Sequence, residues 1–64
     1  MTKQQIKDQL KRRIEYLKEE RSKHLKDAKR YDEVGNYADA DIHFFTANAC
    51  LSRISECEMI IDLL

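Results

Sequence analysis

The chain has 64 residues, 38% of them charged and 42% hydrophobic, with 12 basic and 12 acidic groups and a formal net charge of zero. This length makes one domain with a marginal core of its own. No apolar run approaches the ~18 residues that cross a bilayer, and two cysteines do not make a disulfide scaffold. No hydrophobic signal region follows Met1-Thr2-Lys3-Gln4-Gln5, so a cytoplasmic protein without membrane attachment is expected.

In chain order, the first element is a helix over about residues 3–33. Lys, Gln, Glu, Arg and Leu dominate it, all good helix formers. Ile6, Leu10, Ile14, Leu17, Leu25, Ala28 and Tyr31 recur mostly at three- and four-residue steps, which paints one apolar stripe. Thr2 with Gln5 fits a capping box at its start. Asp8 with Arg12, Glu19 with Lys23 and Lys29 with Glu33 are spaced for charge pairs along its outer face.

With no Pro and one Gly, the chain has material for one tight turn. Val34-Gly35-Asn36-Tyr37 supplies it: Gly35 can take positive φ and close the first helix, and Asn36 can cap the second. Asp39 and Asp41 then stand near the positive dipole end of that helix. No further breaker occurs, so a second helix is expected over about 38–64. Helices of matched length joined by so short a turn fold back antiparallel. The predicted fold is therefore all-α, an antiparallel two-helix hairpin of coiled-coil type. On the second helix the seam is expected at positions 40, 44, 47, 51, 54, 58 and 61, with Glu58 a polar interruption. Counting outward from the turn places Tyr31 near Ala40, Ala28 near Phe44 and Leu17 near Ile54. Arg21 then falls near Leu51, and Glu58 near Arg13 or Ile14.

Ala28, Tyr31, Gly35, Asn36-Tyr37, Ala40, Phe44 and Ala47 stand at the spacing of one helix–turn–helix corner. Residues 28–47 resemble a tetratricopeptide-repeat hairpin, and microtubule-interacting-and-trafficking domains have a similar corner. The resemblance implies close backbone approach at the three alanines, with Tyr31 and Phe44 wedging the gap. Proteins of that family bind partner proteins, which is the class of function it implies. One copy is present, His24 replaces the aromatic expected there, and Ser52 replaces the closing Pro. Only the corner geometry carries over, because solenoids need about three repeats.

The helices differ in hydrophobicity. Eight of the 31 residues in 3–33 are hydrophobic, against 16 of the 27 in 38–64. Ile42, Phe45, Ala49, Met59 and Leu63 lie well off the expected seam, and His43, Cys50, Cys57 and Leu64 form another flank. A helix apolar most of the way round is normally covered on several sides. These five off-seam residues are accordingly the candidates for self-association, as a homodimer closing a four-helix bundle through the second helix. Charge divides likewise: residues 1–33 carry 11 basic and 7 acidic groups (net +4), residues 34–64 one basic and five acidic (net −4).

Chemistry candidates are few. His24 and His43 can approach across the hairpin with Asp39 or Glu20 nearby, but their spacing matches no metal motif, and no metal is expected. Cys50 and Cys57 are two turns apart, too far for an intrahelical disulfide. Small buried residues are the favoured reading for them, with an interchain bridge across a two-fold axis as the alternative. No catalytic residue and no cofactor is expected. Lys11, Arg12, Arg13 and Arg21 are the candidates for contact with a partner.

The function expected is a small non-enzymatic protein–protein interaction module, an adaptor or an inhibitor of a larger protein, acting as a helical homodimer. By analogy, such chains are often encoded by phages or mobile elements. The alternative is a small regulatory nucleic-acid binder using the basic face of the first helix. Interleaved Asp8, Glu15, Asp27 and Asp32 weigh against it.

Overall fold

The computed structural model describes all of residues 1–64 and consists of two α-helices and no strands, α1 (Lys3–Glu33) and α2 (Tyr37–Leu63). They lie side by side as an antiparallel hairpin with principal extents of 49 × 15 × 13 Å. Neither helix is long and apolar enough to cross a membrane.

Local chemistry accounts for each helix end. Thr2 and Gln5 form the capping box reciprocally. Gln5 N–H donates to Thr2 Oγ1 at 3.1 Å, and Thr2 N–H donates to Gln5 Oε1 at 2.9 Å. At the other end of α1, Gly35 takes φ +79°, the left-handed conformation that an L side chain resists. Asn36 N–H donates to Tyr31 O at 2.9 Å and Gly35 N–H to Asp32 O at 3.1 Å. That double bond pattern is a Schellman closure, which satisfies carbonyls the helix end would leave open. Asn36 then caps α2. Its side-chain oxygen accepts from Asp39 N–H at 3.5 Å, while its amide donates to the Asp39 carboxylate at 2.6 Å. Tyr37, expected in the turn, is the first helical residue of α2.

The seam between the helices differs in phase from the sequence expectation. On α2 the inward line is Ala40, His43, Ala47, Cys50, Ile54, Cys57, Ile61 and Leu64, all buried or half-buried. Steps of three and four alternate without a break, the repeat of a coiled-coil seam. Ala40, Ala47, Ile54 and Ile61 were expected there. Phe44, Leu51 and Glu58 were too, but they are exposed along one edge, and the flank of His43, Cys50, Cys57 and Leu64 takes their place. The facing line on α1 is Leu10, Ile14, Leu17, Arg21, His24, Ala28 and Tyr31.

Packing at the corner gives the reason. Ala28, Ala40 and Ala47 are no more than 1% exposed, so the backbones approach closely there. The narrow gap admits flat rings. His43 stacks on Tyr31 with centroids 5.4 Å apart and planes 9° apart, and His24 meets His43 from α1 with centroids at 5.2 Å. Phe44, which the resemblance implied as a wedge, is 42% exposed at the edge instead. Farther from the turn the alanines give way to larger side chains. Ile14, Leu17, Cys50 and Ile54 form the main core cluster, with Cys57 and Ile61 packed against it.

Surface charges form other pairs than those expected. Within 4 Å, Lys18 meets Glu15 and Arg30 meets Asp27, whereas the Asp8–Arg12, Glu19–Lys23 and Lys29–Glu33 pairs do not form. Asp8 accepts from the Gln4 amide instead. Exposed pairs are worth so little that small rotamer preferences decide among them.

A Cβ at Gly35 would meet no atom within 4 Å, so only backbone strain opposes a side chain there. Gly35→Val should lower unfolding free energy by about 1–2 kcal/mol. Gly35→Asn should lower it less, because Asn tolerates the left-handed region. Urea midpoints at one fixed protein concentration would show this order. Ala47→Leu, which forces the helices apart, should cost about 1–3 kcal/mol by the same measurement.

Candidate association face on the second helix

Once the inward line of α2 is fixed, helical geometry fixes what points away. Ile42, Phe45, Ala49, Ser52, Glu56, Met59 and Leu63 follow one another at alternating steps of three and four on the side opposite α1. This is a second seam-like line on the same helix. Phe45 is 79% exposed, Leu63 84%, Met59 65% and Ile42 62%, while Ala49 is half-buried. The five residues named for self-association thus share one face. Large apolar side chains sit at its two ends, and small or polar ones in its middle. Ser52 and Glu56 complete the line. Their signal was present in the sequence as the same three–four alternation, but their polarity hid it. Asn48, Ser52, Arg53 and Glu56 with Phe45 and Ala49 line a shallow depression across the middle of this face.

Exposed apolar residues scattered singly need no explanation, but several contiguous ones on one face mark an interaction surface. Eight large apolar side chains of α2 are substantially exposed: Tyr37, Ile42, Phe44, Phe45, Leu51, Met59, Ile60 and Leu63. On α1 the only one is Tyr16, at 54%. The surplus that composition located in the second helix therefore remains on the surface of the folded chain.

The basic candidates separate in space. Lys11, Arg12 and Arg13 are exposed on α1. Arg21 lies instead in the inter-helix groove beside Lys18, Ser22, Leu25, Leu51, Ile54 and Glu58. That groove encloses about 310 Å³, and the Arg21 Nε–H inside it has no hydrogen-bond partner. Arg21 and Leu51, expected beside each other, line this groove together, and Glu58 lines it as well.

Both cysteines are free, Cys50 buried and Cys57 half-buried. They belong to the inward line, facing α1 rather than the exposed face. A disulfide across a two-fold axis on that face is therefore out of reach without opening the hairpin.

Comparison with known proteins gives no match: no family model, no curated protein and no solved structure is significantly similar to this chain.

The placement of the thiols gives a direct test. A maleimide reagent should label Cys57 well ahead of Cys50 under native conditions, and both together once the chain is unfolded. Equal native rates would place Cys50 outside the core.

Proposed function

We propose that the chain is a non-enzymatic protein–protein interaction module that works as a homodimer. Two hairpins pack through the outward face of α2 into a four-helix assembly with the two α2 helices at its centre, leaving the charged α1 helices outside to meet a further protein, as an adaptor or inhibitor does. The observation that carries this reading is the line Ile42, Phe45, Met59 and Leu63, each more than 60% exposed on one face of a folded hairpin.

Energetics support it. A fully buried aliphatic or aromatic side chain contributes about 1.5–3 kcal/mol. Covering these four on each of two copies contributes on the order of 10–20 kcal/mol gross, against an association cost of roughly 4–15 kcal/mol. A single hairpin has little core of its own: seven of its 64 residues are buried, and three of those are alanine.

The residue order on the face favours an antiparallel pair of α2 helices. That order sets Ile42 against Leu63 of the second copy and Phe45 against its Met59, with the Ser52 residues meeting at the centre. Glu56 then faces Ala49 of the second copy, about one turn from its Arg53. A parallel pair would set Glu56 against Glu56, two like charges at the centre of an apolar seam.

The exposed Lys11-Arg12-Arg13 run keeps a second reading in view, a small regulatory nucleic-acid binder. Phosphate neutralisation by such residues gives binding that weakens steeply with salt. Retention on DNA or RNA at low salt, lost in a Lys11/Arg12/Arg13→Ala variant, would favour that reading of α1.

Sedimentation equilibrium should give twice the chain mass for the native protein. Phe45→Glu should raise the dimer dissociation constant by at least about 100-fold, equivalent to ~2.7 kcal/mol, because it places an unpaired charge in the seam. Since Phe45 is 79% exposed in the single chain, loss of the dimer cannot come from damage to the hairpin core. A single-chain mass for the native protein, or an unchanged dimer in Phe45→Glu, would overturn the proposal.

A further inference from the structure

We infer that His24, Asp27 and His43 form a binding site for a divalent transition-metal ion of the zinc type, which ties α1 to α2 beside the turn. His24 and Asp27 project from successive turns of α1, and His43 comes from α2. One ring nitrogen of each histidine and one carboxylate oxygen of Asp27 all lie within 4.8 Å of one another.

The two imidazoles already stand almost as chelation requires. Their Nδ1 atoms are 2.9 Å apart. Two nitrogens bound to zinc at ~2.0–2.1 Å with tetrahedral angles stand roughly 3.3 Å apart, so a small opening of the pair admits the ion. The same two atoms, left to themselves, hold each other through one shared proton, which one ring donates and the other accepts. Ion binding displaces that proton from Nδ1 of the donor ring to its own Nε2 by exchange through water, so both rings then carry their hydrogen on Nε2.

The surroundings fit this exchange. Glu20 Oε2 is 3.8 Å from His24 Nε2, in position to accept that N–H after a minor side-chain shift. A carboxylate behind a ligating histidine fixes its tautomer and raises its basicity. The Tyr31 ring stacks on His43 at 9° and holds its plane. Asp27 is paired with Arg30, whose Nη2 lies 3.3 Å from its Oδ1. The Arg30 side chain is 69% exposed, and so exposed a pair is weak competition for a metal.

Ligand type and access narrow the ion. Two imidazoles with one carboxylate suit zinc and its borderline neighbours, whereas calcium and magnesium want oxygen throughout. The side chains of His24 and Asp27 are 26% and 32% exposed, which leaves an entry path and a fourth position for water. The sequence suggested the approach of His24 and His43 but not Asp27 as their third partner, because the ligands come from two helices and their chain spacing repeats no known motif. Its place on the inter-helix flank keeps it apart from the outward face of α2, so it does not depend on dimer formation.

The test uses the full chain, freed of metal by a chelator and titrated with zinc chloride by calorimetry and with cobalt(II) by absorption. One ion per chain is expected. The cobalt complex should show four-coordinate d–d bands and no thiolate charge-transfer band, which separates this site from Cys50 and Cys57. His43→Gln should weaken zinc binding by more than about 100-fold, and Glu20→Gln by about 10–100-fold through the second shell. Asp27→Asn guards against loss of fold, since its partly exposed side chain has no core role; with native helicity it should still weaken binding by at least about tenfold. No saturable zinc binding, a thiolate band, or undiminished affinity in a helical Asp27→Asn or His43→Gln chain would overturn the inference.

Discussion

The phase of α2 against α1 is the constraint on which the rest of the molecule depends. With Ala40, His43, Ala47, Cys50, Ile54, Cys57, Ile61 and Leu64 turned inward, helical geometry sends Ile42, Phe45, Met59 and Leu63 to the opposite side. A helix in a hairpin can bury one stripe against one neighbour, and α2 carries two. The inner stripe holds small, flat and sulfur-bearing side chains near the turn and Ile54, Ile61 and Leu64 farther along. The outer stripe holds Ile42, Phe45, Met59 and Leu63 at its two ends, and nothing within the chain covers them.

That division makes the hairpin weak in itself. Three of its seven buried residues are alanines, which remove little apolar area from water. The larger core cluster is confined to Ile14, Leu17, Cys50 and Ile54. The proposed dimer and the proposed metal tie act on this same weakness from different places. One covers the outer stripe along the length of α2. The other links the helices beside the turn, away from the core cluster. Each would stabilise the folded chain by mass action, to the extent that its partner prefers the folded chain to the unfolded one.

Much of the fold was legible because its determinants are local. The Thr2–Gln5 box, the Gly35 closure and the Asn36 cap are each written within a few residues, and the structure places the helix ends within a residue of their expected positions. The off-seam surplus on the second helix was legible as well, since the five residues named from it share one exposed face. The phase of the inner seam was not. Positions 40–44–47–51 and 40–43–47–50 both read as heptads, and by hydrophobicity Phe44 and Leu51 outrank His43 and Cys50. The cluster of His24, Asp27 and His43 was likewise half visible. The histidines were expected to approach, but Asp39 is occupied in capping α2, and Asp27 stands in the place considered for it.

The sequence by itself determined the number of helices, their ends, their antiparallel order and the excess of apolar surface on the second. All of these follow from propensity, capping and composition, which act over a turn or two of chain. Only the tertiary structure decided which of two competing stripes faces inward. That choice turns on the width of the gap between two backbones. With the buried alanines at the corner, His43 and Cys50 face α1 while Phe44 and Leu51 lie exposed at the edge, and no single helix contains that information.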